Sequence, residues 1–253
     1  MTKRTLIVAV ALALALIGTG CKSSSTALDA PVVSKQATND GGTLHLTWEA
    51  VEGAESYEIK AGGAVDTITS TSFDVSTPAA TIEVRSVKGT SKSDSAATIE
   101  CGIVESTIEF FGDLDTLHFN GFGFGSNGTA VGYTMHPTQL PNLDFYAEGN
   151  QSAMKLKSAA GVNSEKKGNG TKVASVAYDD VGIADPVGDY ADSSLTIAAG
   201  TACCLRMSSD TTAAGTWTDQ DHFAKANVVS IESTKVTLKV GYQKVAGLRW
   251  LAK

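Results

Sequence analysis

Apolar positions in this chain follow two patterns. Residues 6–17 are twelve consecutive apolar side chains, and beyond them apolar and polar residues alternate in short runs. Leu44, Leu46 and Trp48 alternate with His45 and Thr47, the period-2 signature of a strand buried on one face. Similar runs follow at 57–59, 73–75, 82–87 and 95–99, separated by Gly53, Gly62-Gly63, Pro78 and Lys88-Gly89. Short strands spaced about 10 residues apart, with turn residues between them, predict a β-sandwich over residues 31–103. The pattern restarts near Val104, with candidate strands at 107–111, 116–119, 129–135, 153–157, 172–178, 194–197 and 202–207. The clearest pair comes last. Residues 223–231 lead through Glu232-Ser233-Thr234 into Val236, Leu238, Val240 and Tyr242, which alternate with Thr237, Lys239 and Gly241. That pattern predicts an antiparallel hairpin with one buried face. No segment after the first carries a 3.6-residue stripe, so the expected class is all-β: one sandwich, then a larger jelly-roll-like sandwich over residues 104–253.

The first apolar block is too short for a spanning helix, which needs about 20 residues. Lys3 and Arg4 precede it, and Gly18-Thr19-Gly20 lead directly to Cys21. A basic start, an apolar middle and small residues before a cut describe a secretory signal over residues 1–20. With Cys21 following directly and polar Lys22-Ser23-Ser24-Ser25 after it, the segment resembles the lipobox of bacterial lipoproteins. The resemblance implies that Cys21 is lipidated and that residues 21–30 tether a folded part to the bacterial cell envelope, at the outer membrane.

The chain has 253 residues and a net charge of −7. Removal of residues 1–20 takes Lys3 and Arg4 with it and leaves −9. Acidity of that size argues against nucleic acid as a partner, since its binders concentrate positive charge. With Cys21 set aside, Cys101, Cys203 and Cys204 remain, and in an oxidising compartment Cys101 is expected to pair with Cys203 or Cys204.

Two further resemblances concern the sandwiches. Leu44, Leu46 and Trp48, then Gly53-Ala54, Tyr57 and Ile59, then Val84 to Gly89, stand in an order similar to a fibronectin type III domain. That implies Trp48 and Tyr57 as core aromatics and a spacer role. Phe223-Ala224-Lys225, Ile231 and residues 236–243 resemble the closing hairpin of haem-scavenging β-sandwich lipoproteins. Haem would need histidine ligands, and His118 and His136 are the first pair to consider.

Candidate chemistry is sparse. Trp217, in polar Gly215-Thr216-Trp217-Thr218-Asp219, reads as a loop tryptophan able to stack on a sugar ring. Gly123-Phe124-Gly125-Ser126-Asn127-Gly128 spells G-x-G-x-x-G, but strand-like residues 129–133 follow where a dinucleotide site needs a helix. The segment reads instead as a tight turn that offers Phe122 and Phe124 as a ligand rim. Asp179, Asp180, Asp185, Asp189 and Asp192 form an acidic stretch, the candidate site for Ca2+, with Asp219 and Asp221 next in line. No nucleophile elbow or metalloprotease motif is present. The sequence therefore predicts a lipid-anchored envelope protein without catalysis, binding a ligand, a glycan first, through its C-terminal sandwich. The alternatives are a structural or protein-interaction lipoprotein, haem binding, and a glycan hydrolase.

Overall fold

A computed structural model describes residues 27–114, 117–166, 168–186, 190, 194–208 and 216–253. The signal segment and Cys21 lie outside these residues. Among them every strand pairing is antiparallel, and no helix is long and apolar enough to cross a membrane.

The first sandwich is built from β1 (Val33–Thr38), β2 (Thr43–Trp48), β3 (Ser56–Ala61), β4 (Ala64–Ile68), β5 (Ser72–Val75), β6 (Thr81–Lys88), β7 (Ser91–Lys92) and β8 (Ala97–Glu100). One sheet runs β1-β2-β5 and the other β4-β3-β6-β7, with β8 also on β6. Period-2 alternation puts Leu44, Leu46, Trp48, Tyr57, Ile59, Ile82 and Val84 into the core between them. Trp48 packs edge-on against Tyr57, centroids 5.2 Å apart.

The second sandwich uses β9 (Ile103–Phe111), β10 (Gly121–Phe124), β11 (Ala130–Tyr133), β12 (Phe145–Glu148), β13 (Lys155–Ser158), β14 (Gly170–Val173), β15 (Ser194–Thr196), β16 (Ala202–Met207), β17 (His222–Glu232) and β18 (Lys235–Gln243). Its sheets are β14-β16-β17-β18-β9 and β11-β10-β12-β13-β15. Phe110, Phe122, Phe145, Leu156, Leu205, Val228, Leu238 and Val240 fill the space between them. The expected hairpin is β17–β18, turning at Ser233 with φ +58°. A bulge between Val228 and Ser230 leaves Val229 exposed.

Two elements depart from the sequence reading. In the segment expected as a turn, residues 125–128 do turn, the Gly128 amide donating to Gly125 O at 2.8 Å, but residues 121–124 are strand β10, which lies between β11 and β12 and not at a sheet end. Its glycines are there because neighbouring backbone comes too close for a side chain. A Cβ on Gly121 would lie 2.1 Å from the Phe145 carbonyl oxygen, and one on Gly123 would lie 2.0 Å from that of Asn142. The candidate strand at 116–119 has no counterpart in residues 117–119.

The last ten residues tie the two halves together. After β18 the chain crosses to the first sandwich and inserts Leu248 and Trp250, both fully buried, into its core. Trp250 Nε1 donates to the Gly42 carbonyl at 3.1 Å, and the Arg249 amide donates to that of Gly41 at 2.9 Å. Gly41 has φ +78°, and a Cβ there would lie 2.1 Å from the Gly247 carbonyl oxygen.

Candidate functional site

Trp217 does not stand free in its loop. It is half-buried against the core of the first sandwich, and its indole N–H donates to Gly247 O at 2.8 Å. The ring covers the junction of the two sandwiches. Phe122 is fully buried at the centre of the second core, packed on Phe110 and Phe145. Of the three aromatics expected at a ligand, Phe124 is the one that lines a cavity with other rings.

The acidic stretch gathers no metal site among the described residues. Lysine ammonium groups already stand where a cation would be needed. Asp179 pairs with Lys253 at 2.8 Å and Lys239 at 3.8 Å. The Lys253 hydrogen bond, helped by the charges of Lys253 and Lys239, holds the Asp179 carboxyl below its ordinary range. Asp185 pairs with Lys172 at 3.2 Å, and Asp180 is exposed at the 3-10 turn Tyr178–Asp180. Asp189 and Asp192 lie outside the described residues. Asp221 already faces a cation, the guanidinium of Arg206 at 2.9 Å.

The expected disulfide is not formed. Cys101, Cys203 and Cys204 are free thiols, and each is buried in a different apolar cluster. Alternation sends Cys203 and Cys204 to opposite faces of β16, and Cys101 faces the first core. Burial raises their pKa values to about 12 for Cys203 and about 11 for Cys101 and Cys204. These groups remain thiols at pH 8 because the shift is upward, so the native protein should resist alkylation at all three. Mass spectrometry after iodoacetamide treatment checks this: labelling should appear only with denaturant, and native labelling of any of the three would contradict the burial.

The two histidines considered for haem have separate local partners. The His118 ring packs on Phe111 at 4.8 Å, and His136 Nδ1 contacts Thr138 Oγ1 at 2.9 Å within its own turn.

The arrangement best suited to a ligand lies where the second core reaches its open end. On β10 the inward positions are Phe122 and then Phe124. On β16 they are Cys203, Leu205 and Met207. On β18 they are Val236, Leu238, Val240 and then Tyr242. On β17 they run back through Val228, Ala226 and Ala224 to His222. The terminal inward residues Phe124, Met207, His222 and Tyr242 thus line a cavity of about 250 Å3 at the mouth of the sandwich. Phe124 stacks on Tyr242 across the two sheets, centroids 4.4 Å apart, and Tyr242 stacks on His222 at 5.3 Å. Burial, with the charge of Asp144 nearby, raises the Tyr242 phenol well above its ordinary pKa, so it stays a neutral hydroxyl. His222 Nδ1 lies 3.3 Å from the Gln243 carbonyl; an N–H there leaves Nε2 as an acceptor.

Facing the rings is a polar wall of Asp144, Lys166, Asn169, Ser208 and Gln220. Asp144 accepts from Lys166 Nζ at 2.8 Å and from the Phe124 amide at 3.3 Å. Asn169 donates to Asp144 and accepts from the Ser208 amide at 2.9 Å. Behind Ser208, Arg206 and Asp221 are almost wholly buried. Arg206 donates through Nε and Nη2 to Asp221 at 3.2 and 2.9 Å, and through Nη2 to Ser208 Oγ at 3.2 Å and Thr216 O at 2.6 Å. Hydrogen bonds in series fix this wall before any ligand arrives.

Sequence reasoning named Phe124 and the strand that carries Tyr242, but not the polar wall. Asp144, Lys166 and Asn169 come from loops without periodicity. The available signal was that inward alternation on β18 continues past Val240 to an aromatic with a hydroxyl.

A wider depression of about 700 Å3 lies beside Asp29, Trp48 and Glu52, where the chain enters the first sandwich, but nothing comparable to the hydrogen-bonded wall backs it. Compared with protein-family models and with curated proteins, the chain matches none.

Proposed function

We propose that this protein is an exported, lipid-anchored envelope protein that binds a glycan without catalysis, at the mouth of its C-terminal sandwich. The observation that carries the reading is the cavity itself: aromatic rings on one side, preorganised hydrogen-bonding groups on the other. A sugar ring has apolar C–H faces and a rim of hydroxyls, and needs both kinds of wall. The glycan site therefore moves from Trp217 to Phe124, Tyr242 and His222. Asp144 is the one carboxylate among the described lining residues, and Lys166 holds it. That supports binding over glycoside hydrolysis, which uses two carboxylates about 5–10 Å apart.

The signal anatomy before Cys21 supports export and lipidation. The three-strand sheet facing β4, β3, β6 and β7, with Trp48 against Tyr57, supports a fibronectin-like spacer that holds the binding sandwich away from the membrane. Anchored this way, the protein has its place in the bacterial outer membrane.

The test is a glycan array probed with the whole chain in detergent, followed by titration of the hits. Tyr242→Ala is expected to weaken binding at least tenfold, about 1.4 kcal/mol, and Tyr242→Phe less. A blank array would overturn the glycan reading. The full burial of Phe122, and the engagement of the Trp217 indole with Gly247, favour the second reading, a structural or protein-interaction lipoprotein, in that event.

A further inference from the structure

A second concavity, about 510 Å3, lies in the crease between the two sandwiches. Its walls come from Lys35 and Gln36 on β1, Glu100 at the end of β8, and Asp219, Gln220 and Lys244 of the second sandwich. Gln220 also lines the aromatic cavity, so one side chain forms a wall of both. Lys244, two residues after Tyr242 on the chain, lines the crease, and both side chains pass close to Gly128: a Cβ there would lie 3.0 Å from Tyr242 Cδ1 and 3.1 Å from Lys244 Cγ.

The two concavities differ in chemistry. The mouth has three rings; the crease has polar side chains and short apolar ones. Lys35, Gln36 and Lys244 are exposed, and among the described residues their side chains make no hydrogen bond or ion pair. The crease is also held in shape. The contact of Gly41 with Gly247, the Trp217 bond to Gly247 O and the Gly247 amide bond to Asp221 O fix the two sandwiches beside it.

We infer that the ligand is a chain of at least two sugar units, one at the aromatic mouth and the next in the crease against the first sandwich. This rests on the glycan reading of the mouth. Domain junctions are favoured places for ligand sites, and a preformed second site adds contacts at little ordering cost. The first sandwich is then part of the recognition surface as well as a spacer.

Calorimetric titration of the whole chain with glucose, mannose and N-acetylglucosamine series of one to five units tests this. Affinity should rise at least tenfold between one unit and three in the series that binds. The double variant Lys35→Ala/Gln36→Ala should bring the three-unit affinity down to that of one unit, whereas Tyr242→Ala should weaken every length. Equal affinity for one unit and three would overturn the inference and leave the mouth as a single-sugar site. So would an undiminished length dependence in the double variant alongside a weakened Tyr242→Ala. Absence of binding at any length in all three series would overturn the glycan reading and this inference with it.

Discussion

Trp250→Ala will lower the thermal midpoint by roughly 6–20 °C, and the first sandwich will lose its structure together with the C-terminal segment. Trp250 has no exposed surface and lies in the same cluster as Leu44, Leu46, Trp48 and Ile82. Truncating a buried tryptophan to alanine costs about 3–5 kcal/mol, from the lost transfer energy and the cavity left behind. In a chain of this size each kcal/mol corresponds to about 2–4 °C. The indole N–H bond to Gly42 O adds to the loss, since that carbonyl then needs water in a place the ring had sealed. Trp250→Phe should fall between the two, because it keeps much of the volume and loses the donor. Scanning calorimetry measures both variants. An unchanged midpoint for Trp250→Ala would mean that the C-terminal segment contributes nothing to the first core.

The second large effect belongs to Arg206. Arg206→Met should destabilise the second sandwich by about 3–5 kcal/mol, because Asp221 would remain as an uncompensated buried charge. Asp221 also accepts from the Thr218 amide and hydroxyl, each at 3.1 Å, so it anchors the loop that carries Trp217 and Gln220. The double variant Arg206→Met/Asp221→Leu should recover most of the loss. Replacing both members of a buried pair by apolar side chains of similar volume is often close to neutral. Urea unfolding of the two single variants and the double variant gives the coupling. If the double variant were as unstable as the sum of the singles, the pair would have no mutual interaction and this account of the loop would fail. On the proposed glycan reading, the double variant should still bind less well than the parent, since Ser208 loses the Arg206 donor that steadies it.

The strands that were legible in the sequence are those where one face meets the core and the other meets water. β2, β3, β6 and β18 show that alternation plainly, and their inward residues are the ones the pattern selects. β10 and β12 were missed because their neighbours crowd both faces. Gly121 and Gly123 are dictated by backbone proximity, so the segment looks like a turn, while Phe145, Tyr146 and Ala147 are all buried and give no alternation. The aspartates at 179, 180 and 185 looked like cation ligands because the lysines that neutralise two of them come from distant positions, Lys172, Lys239 and Lys253. Trp217 looked exposed because its flanking residues are polar. Nothing local indicates that residues 244–253 will fold over it. The aromatic mouth was half legible. Phe124 was visible as a candidate, but its partners Asp144, Lys166 and Asn169 are brought there by loops whose paths have no period to read.

The return of the last ten residues to the first sandwich has a consequence for how the molecule is made. A ribosome delivers the N-terminal strands first, yet the core they form lacks Leu248 and Trp250, and the contact from Trp250 to Gly42 spans 208 positions. Residues 31–103 therefore reach their final packing only after residues 244–253 have been made. Contacts this far apart in sequence make folding slow.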